Sequence, residues 1–307
     1  MTNATPVINR TSHPSATIGV RLALLVMVAF FGGSLPAYKL ASASFGPATS
    51  NLIRFVIATT FLLAIARKKL PSARGQVPRL FVIGMFGIGL MAVFLGVGVD
   101  KGSATIGSII VGLEPIGVAL AGALIVGDHP SKRALTALLF GIAGAIVASG
   151  ILTQGSDKVA ILPVLLLLGT VVTFSIYTAL VRQASQGIEP LAVASLTQLG
   201  ALAFVIPACL LDVFNGGMLR GDSIQPKALW AVVFLGVGSG VGYLLLCSVL
   251  ANQPSSRVAV SMFLTPVLGV VFSWWIVGEK LYLRHAVGAA VVLVAIWISE
   301  GGQAKSR

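Results

Sequence analysis

Apolar runs of about 20 residues, the length that a helix needs to cross a bilayer, recur along almost the whole chain. Short polar breaks separate the runs. Only 10% of the 307 residues are charged, too few to cover the surface of a soluble protein of this length. The sequence therefore predicts an all-α integral membrane protein whose outer surface faces lipid.

Ten membrane spans are predicted from these runs. Their approximate bounds are 18–41, 46–66, 78–99, 103–125, 132–152, 159–182, 189–211, 226–250, 257–277 and 282–299. Residues 1–17 and 300–307 are predicted to be cytoplasmic tails. The first run is longer than the apolar core of a signal peptide, so it is interpreted as an uncleaved span.

Basic residues lie mainly in the breaks between spans, and the longest basic break runs from Arg67 to Arg79. Because cytoplasmic loops are enriched in lysine and arginine, this break is predicted to be cytoplasmic, with both termini on the same side. The net charge of +12 needs no nucleic acid to explain it, since the basic residues form no stripe with interleaved aromatics. The expected location is the cytoplasmic (inner) membrane of a bacterium.

The two halves of the sequence resemble each other in the polar residues that interrupt the apolar runs. The aligned segments are 31–47 with 174–190, 113–115 with 264–266, and 126–128 with 277–279. They divide the chain into two repeats, 18–152 and 159–299, with the same odd number of predicted spans, so the repeats enter the membrane in opposite orientations. Inverted repeats are typical of alternating-access transporters, whose substrate site lies between the repeats near the midplane.

Short motifs punctuate both halves. They are Phe31-Gly32-Gly33, Lys39, Pro47, Arg54-Phe55, Glu114-Pro115 and Gly127-Asp128 in the first half, and Pro190, Thr265-Pro266 and Gly278-Glu279 in the second. On these motifs each half resembles an EamA-type module of the drug/metabolite transporter superfamily. The resemblance implies ten helices around a central cavity and transport of small solutes, often export of amino acids or other metabolites. Two positions depart from the family pattern: Asp128 stands where glutamate is usual, and Thr197 stands opposite Arg54.

Two ionisable residues lie well inside predicted spans, Arg54 in the second span and Glu114 in the fourth. Charged groups at such depth are costly and usually functional. Both lie roughly 12 to 16 Å from the outer end of their span at about 1.5 Å per residue, so a direct or water-mediated pair is predicted. In the functional interpretation Arg54 binds a substrate carboxylate or phosphate, and Glu114 carries a proton or contacts a substrate amine. In the alternative, the pair only locks the two spans together.

Further polar and aromatic side chains are predicted to complete the central cavity: Ser34, Tyr38 and Asn51 from the first half, and Tyr177, Gln198, Ser239 and Tyr243 from the second. Within spans such side chains also bond to a backbone or a neighbouring helix. Pro36, Pro115 and Pro266 are predicted hinges, because proline removes a helix hydrogen bond. Asp128 and Glu279 are predicted to cap the helix that follows each of them, or alternatively to form salt bridges at a gate.

Residue types that carry catalysis or bind metals do not converge anywhere in the sequence. His13, His129 and His285 are scattered over the tail and loops, so no metal site is predicted. A phosphate-binding loop of the Walker type is also missing. The sequence therefore predicts a non-enzyme without a cofactor. Its expected partners are a small-molecule substrate, the lipid bilayer and, for a coupled cycle, protons.

The leading hypothesis is a secondary active transporter that exports amino acids or related metabolites by alternating access, with proton antiport through Glu114. Uptake or exchange of sugars or nucleotide sugars is the alternative within transport. A membrane enzyme or a non-transporting scaffold is the alternative from another class. The sequence leaves open the substrate, the direction of transport, the coupling ion and the oligomeric state.

Overall fold

A computed structural model describes residues 18–126, 132–150, 152, 160–214, 217–221, 223–252, 262 and 264–300. Within these ranges the chain forms helices joined by turns, together with an isolated β-bridge between Phe45 and Leu219. The N-terminal tail, residues 301–307 and the capping prediction for Asp128 lie outside the described residues.

The first half of the chain is built from helices that match its predicted spans. They are α1 (Ile18–Ala41), α2 (Pro47–Ala66), α3 (Val77–Gly84), α4 (Leu90–Lys101), α5 (Ala104–Val111), α6 (Glu114–Val126) and α7 (Lys132–Ser149). A 3-10 turn, Leu70–Ala73, lies between α2 and α3, and a π-helical turn, Met85–Gly89, joins α3 to α4. The fourth predicted span is broken at Gly112 and Leu113, between α5 and α6.

The second half repeats this use of long helices. It contains α8 (Ile161–Ala184), α9 (Pro190–Phe214), α10 (Pro226–Asn252), α11 (Leu264–Phe272) and α12 (Leu283–Glu300). Helices α9 and α10 begin at prolines. Because the first N–H groups of a helix have no partner within it, a proline there costs no hydrogen bond. A π-helical turn, Ser273–Val277, extends α11.

Several of these helices are long and apolar enough to cross a membrane. Seven such segments are present within the described ranges: Leu22–Ala41, Pro47–Ala66, Val77–Lys101, Ala104–Ile125, Ile161–Ala184, Pro190–Phe214 and Pro226–Ala251. Three shorter apolar helices, Leu135–Ser149, Leu264–Val277 and Leu283–Ile298, lie where the fifth, ninth and tenth spans are predicted. The prediction of an all-α multi-pass membrane protein is thus confirmed, while ten spans in two inverted repeats stay a prediction.

Contacts between helices in one half have counterparts in the other half. The contact of α1 with α10 corresponds to that of α8 with α4, and the contact of α2 with α10 to that of α9 with α3. The contact of α6 with α8 corresponds to that of α11 with α1. Two further contacts, α2 with α9 and α7 with α12, join helices that the repeat alignment of the sequence places opposite each other.

Glycines allow α3 and α9 to approach each other unusually closely. A Cβ atom on Gly84 would lie 2.0 Å from the carbonyl oxygen of Thr197, and one on Gly200 would lie 2.0 Å from that of Phe81. No side chain fits at either position without moving a backbone. This contact holds the middle of α9 against the first half of the chain.

Candidate functional site

Arg54 lies on α2 and is 4% exposed. Its guanidinium donates hydrogen bonds to the hydroxyl of Tyr38 on α1 and to the hydroxyl of Ser239 on α10. Its Cζ atom also lies 5.1 Å from the ring centroid of Phe55 and 5.6 Å from that of Tyr38. All of these partners are neutral, so the buried cation has hydrogen bonds but no counter-charge in direct contact among the described residues.

Tyr38 and Asn51 hold the guanidinium in place. The Tyr38 hydroxyl, which accepts from Arg54, donates in turn to Oδ1 of Asn51. The Nδ2 group of Asn51 donates to the carbonyl oxygen of Ala92, 2.9 Å away on α4. The chain of bonds therefore runs from α4 through Asn51 and Tyr38 to Arg54. The structure brings four predicted site residues, Arg54, Tyr38, Asn51 and Ser239, into one network.

Arg54 and Glu114 line one small cavity of about 40 Å³. Glu114 is 7% exposed and begins α6, directly after the break in the fourth span. The other polar residues of the lining are Ser34, Thr170, Tyr243 and Thr265. The lining is completed by Phe31, Leu35, Met91, Leu95, Val111 and Phe174. Both predicted charged residues thus reach a shared, mostly apolar space between the two halves of the chain.

The predicted direct pair between Arg54 and Glu114 does not form. The ion pairs among the described residues join Lys69 to Glu189, 2.9 Å apart, and Arg220 to Asp100. Arg54 is instead drawn to Tyr38 and Ser239, so the two charges remain separate groups in one cavity. The two residues are therefore not in direct contact here, and a water-mediated pair between the second and fourth spans stays a prediction.

An aromatic wall bounds the cavity. The ring centroid of Phe31 lies 5.4 Å from that of Tyr243 and 6.3 Å from that of Phe174. Tyr177 packs edge-to-face behind Tyr243, with the ring centroids 5.8 Å apart, and its hydroxyl lies 3.4 Å from Oγ1 of Thr197. Tyr243 therefore lines the cavity as predicted, whereas Tyr177 supports the wall from behind and is not part of the lining.

The structure separates two other predicted residues. Ser34 lines the cavity, although its hydroxyl donates to the carbonyl oxygen of Phe31, 2.6 Å away. Gln198 is completely buried in α9, and neither polar atom of its amide has a hydrogen-bond partner among the described residues. It does not belong to the lining of this cavity. Its role in substrate binding remains a prediction.

Thr265 is a cavity residue that the prediction from sequence missed. It lies on the first turn of α11 and is 2% exposed, and its hydroxyl has no hydrogen-bond partner within the described ranges. Because the repeat alignment places Thr265 opposite Glu114, the signal that marks it was present in the sequence. Thr170 and Phe174 on α8 were also missed, although the repeat alignment places Phe174 opposite Phe31.

The predicted hinge prolines occupy two kinds of position. Pro36 lies inside α1, whereas Pro115 and Pro266 are the second and third residues of α6 and α11. A proline in the first turn replaces an N–H that has no partner within the helix. At Pro115 the chain is already interrupted by the break at Gly112 and Leu113, so any bending there does not depend on the proline alone.

Glu279 does not cap the helix that follows it, which corrects the prediction. Its carboxylate accepts hydrogen bonds from Oγ of Ser103 at 2.8 Å and from the backbone N–H groups of Ala104 at 2.9 Å and Thr105 at 2.8 Å. These groups form the start of α5, in the other half of the chain. Gly278, with φ of +77°, turns the backbone so that the carboxylate reaches back to α5.

Partial burial acts to raise the pKa of Glu279, but the hydrogen bonds from Thr105, Ser103 and Ala104 outweigh it and leave the pKa below its ordinary value. Each of these donors favours the ionised carboxylate, as does the positive end of the α5 dipole. Glu279 is therefore a charged link between the two halves of the chain.

Comparisons with known proteins agree with this architecture. A model of the EamA-like transporter family matches residues 17–150 and, separately, residues 161–300. An uncharacterized transporter of Archaeoglobus fulgidus is 24% identical over 278 residues, which cover 90% of this chain and 97% of that protein. The uncharacterized transporter YyaM of Bacillus subtilis is 24% identical over 297 residues, covering 92% and 94% of the two chains.

Two more distant matches extend the comparison. A chloroplastic WAT1-related protein of Arabidopsis thaliana is 24% identical over 285 residues, covering 88% of this chain and 66% of that protein. One solved crystal structure superposes with a TM-score of 0.63 at 16% identity, covering 92% of this chain and 96% of that chain. The structural match shows a shared fold.

Proposed function

The chain belongs to the EamA-like transporter family, and from this premise we propose that it is a secondary active transporter that works by alternating access between two inverted five-helix repeats. The separate family matches to each half support the repeat. The corresponding helix contacts, such as α1 with α10 and α8 with α4, support a two-fold relation between the halves. In such transporters the substrate site lies at the interface between repeats.

The proposed substrate is an amino acid or a related small zwitterion. The observation that carries this proposal is that Arg54 and Glu114 line one cavity without forming an ion pair with each other. A buried guanidinium with neutral partners is stabilised by an incoming carboxylate, which it binds through two parallel hydrogen bonds. The carboxylate of Glu114 then accepts hydrogen bonds from the substrate amine. The wall of Phe31, Phe174 and Tyr243 contacts an apolar side chain of the substrate.

The cavity must enlarge for this substrate to bind. Its volume of about 40 Å³ holds a few water molecules, whereas ligand pockets usually measure at least about 300 Å³. The described conformation therefore corresponds to a contracted site. The break at Gly112 and Leu113 is the place where α5 and α6 can change their relative orientation, which would move Glu114 with respect to Arg54.

Proton antiport follows from the position of Glu114. An acid in an apolar cavity binds either a proton or the amine of the substrate, because either partner removes its unpaired negative charge. Substrate binding on one side of the membrane would then release the proton on that same side, and substrate release on the other side would be followed by protonation of Glu114 there. The proposed direction is export across a bacterial cytoplasmic membrane, with both termini in the cytoplasm.

A sugar phosphate or nucleotide sugar is a weaker candidate. Arg54 suits a phosphate as well as it suits a carboxylate. However, Glu114 lines the same cavity of about 40 Å³, where an ionised carboxylate would repel a phosphate. The acidic residue therefore favours a substrate that carries both charges.

Transport by reconstituted protein tests the proposal. Proteoliposomes with an imposed inside-acid pH gradient would be offered a panel of radiolabelled amino acids, sugars and nucleotides, with wild type compared with Glu114→Gln. We expect gradient-driven amino acid uptake that Glu114→Gln abolishes. The matched control is Glu189→Gln, which removes an exposed carboxylate paired with Lys69 and should leave transport unchanged.

The remaining outcomes are also informative. Equal uptake with and without the gradient, by both wild type and Glu114→Gln, would contradict proton coupling and leave a facilitator or exchanger. Uptake of nucleotide sugars without amino acids would overturn the proposed substrate class.

A further inference from the structure

A second pocket lies apart from the central cavity, where the start of α5 meets the residues between Gly278 and α12. It measures about 270 Å³, and its polar lining consists of Ser103, Glu279, Lys280, Tyr282, Arg284 and His285. We propose that this pocket binds a phosphate group, either the headgroup phosphate of a membrane lipid or a free phosphate anion.

Two cationic side chains, those of Lys280 and Arg284, belong to the lining of the pocket. Lys280 is exposed, and the guanidinium carbon of Arg284 lies 4.3 Å from the ring centroid of Tyr282. The acidic member, Glu279, is occupied by three donors at the start of α5. The negative charge of Glu279 is therefore already stabilised by the start of α5, and the side chains of Lys280 and Arg284 line the same pocket.

His285 supplies a donor that has no acceptor among the described residues. The residue is 5% exposed, and its Nδ1 atom accepts a hydrogen bond from the backbone N–H of Tyr282, 3.3 Å away. This places the hydrogen of the neutral imidazole on Nε2. The Nε2 atom is buried and has no hydrogen-bond partner in the part of the chain that the structure describes. Because buried donors are nearly always satisfied in proteins, an acceptor from outside the chain is expected here.

Phosphate fits this set of groups better than a neutral ligand does. The ammonium of Lys280 and the Nε2–H of His285 both donate, and a tetrahedral oxyanion offers acceptors in several directions. The exposed side chains of Trp274 and Trp275 lie just before the loop, on the π-helical turn. Tryptophan is enriched at the level of lipid headgroups, which is where a lipid phosphate would be available.

Binding to the purified full-length protein tests the proposal. Thermal-shift titrations and native mass spectrometry would be carried out with inorganic phosphate, with short-chain phosphatidylglycerol, and with a diacylglycerol of the same chain length that lacks phosphate. The variants are Lys280→Gln, which removes a cation, and His285→Phe, which removes the Nε2 donor but keeps a ring beside Tyr282. Lys101→Gln removes an exposed cation that is near in sequence but outside the lining.

We expect Lys280→Gln and His285→Phe each to weaken phosphate-group binding by about tenfold, since both remove charge-assisted or buried hydrogen bonds. Lys101→Gln should stay within about twofold of wild type. Tighter binding of phosphatidylglycerol than of inorganic phosphate would identify the lipid as the source, and the reverse order would identify the free anion.

Three results would overturn the proposal. These are binding of diacylglycerol as tight as that of phosphatidylglycerol, equal effects of Lys101→Gln and Lys280→Gln, and absence of phosphate-group binding to wild type. Unchanged melting temperatures of the ligand-free variants would establish that each one still folds. Because the readout is binding at a pocket distant from the central cavity, it does not depend on the proposed transport activity.

Discussion

Arg54 and Glu114 line the same cavity but do not contact each other, because Arg54 is bonded to Tyr38 and Ser239 instead. Two opposite charges in a small apolar space would attract strongly if they could meet. Their separation leaves each one available to a ligand. A zwitterion that bridges them would satisfy both at once.

Substitution of Arg54 by lysine should impair substrate binding although the charge is kept. A lysine ammonium lacks the planar set of donors with which the guanidinium can bond to Tyr38, Ser239 and a substrate carboxylate at the same time. We expect KM to rise by about tenfold, the effect of losing one charge-assisted hydrogen bond. The measurement is the concentration dependence of uptake into proteoliposomes. Arg79→Lys, at an exposed arginine bonded to Gln183, is the control and should behave as wild type.

The unpaired hydroxyl of Thr265 should contribute to substrate binding. Thr265→Val keeps the shape of the side chain and removes the hydroxyl, so KM should rise by about fivefold, as for the loss of one hydrogen bond. Thr265→Ser should restore a value near wild type. The control is Thr59→Val, because the Thr59 hydroxyl is equally buried and unpaired but lies outside the cavity lining. Equal effects of both valine variants would contradict a role in binding.

Removal of the Tyr38 hydroxyl should destabilise the folded protein and also impair transport. In Tyr38→Phe, Oδ1 of Asn51 loses its donor and Arg54 loses an acceptor, both in buried positions. The expected cost is about 1–3 kcal/mol in the free energy of unfolding. Thermal unfolding in detergent measures it. An unchanged melting temperature would mean that the network does not hold Arg54.

The sequence predicted the membrane class well, and it predicted cavity residues best where a charged side chain lies inside an apolar run. Apolar runs of span length indicate directly that the helices are surrounded by lipid, and a charge inside such a run is too costly to be accidental. Arg54 and Glu114 were therefore found. Tyr38, Asn51 and Ser239 were predicted as cavity residues, but they form the hydrogen-bond network of Arg54 and are not part of the cavity lining.

Relationships between distant segments were harder to predict. The sequence places Glu279 just before α12, but the carboxylate binds the start of α5, a helix 174 residues away along the chain. Sequence proximity favours the nearest helix end, whereas the fold decides which end lies closest in space. The same limit applies to Gln198, whose polar amide suggested a cavity position but is buried elsewhere in α9.

The link between Glu279 and α5 should stabilise the protein in a pH-dependent way. Glu279→Gln removes the charge from the helix start, and the expected loss is about 0.5–2 kcal/mol. Because the folded pKa of Glu279 lies below its ordinary value of 4.5, the stabilisation is fully present above that value and is lost as the pH falls through the folded pKa.

The corresponding measurement is the difference in melting temperature between wild type and Glu279→Gln as a function of pH. It should be constant from about pH 7 to pH 5 and shrink below the ordinary carboxyl pKa. Glu189→Gln, at an exposed carboxylate, should show a smaller difference at neutral pH. A difference that persists undiminished at low pH would mean that the charge of Glu279 is not the stabilising feature.

The close contact of α3 with α9 predicts a strong dependence on Gly84. In Gly84→Ala the new Cβ would lie 2.0 Å from the carbonyl oxygen of Thr197, so the two helices must separate. Overpacking of this kind usually costs at least about 1–3 kcal/mol. Gly122→Ala is the matched control, since nothing lies within 4 Å of a Cβ at that helical position. We expect Gly84→Ala to lower the melting temperature and the yield of monodisperse protein in detergent, and Gly122→Ala to leave both unchanged. Equal behaviour of the two variants would contradict the close approach of α3 and α9, and with it the placement of α9 against the first half of the chain.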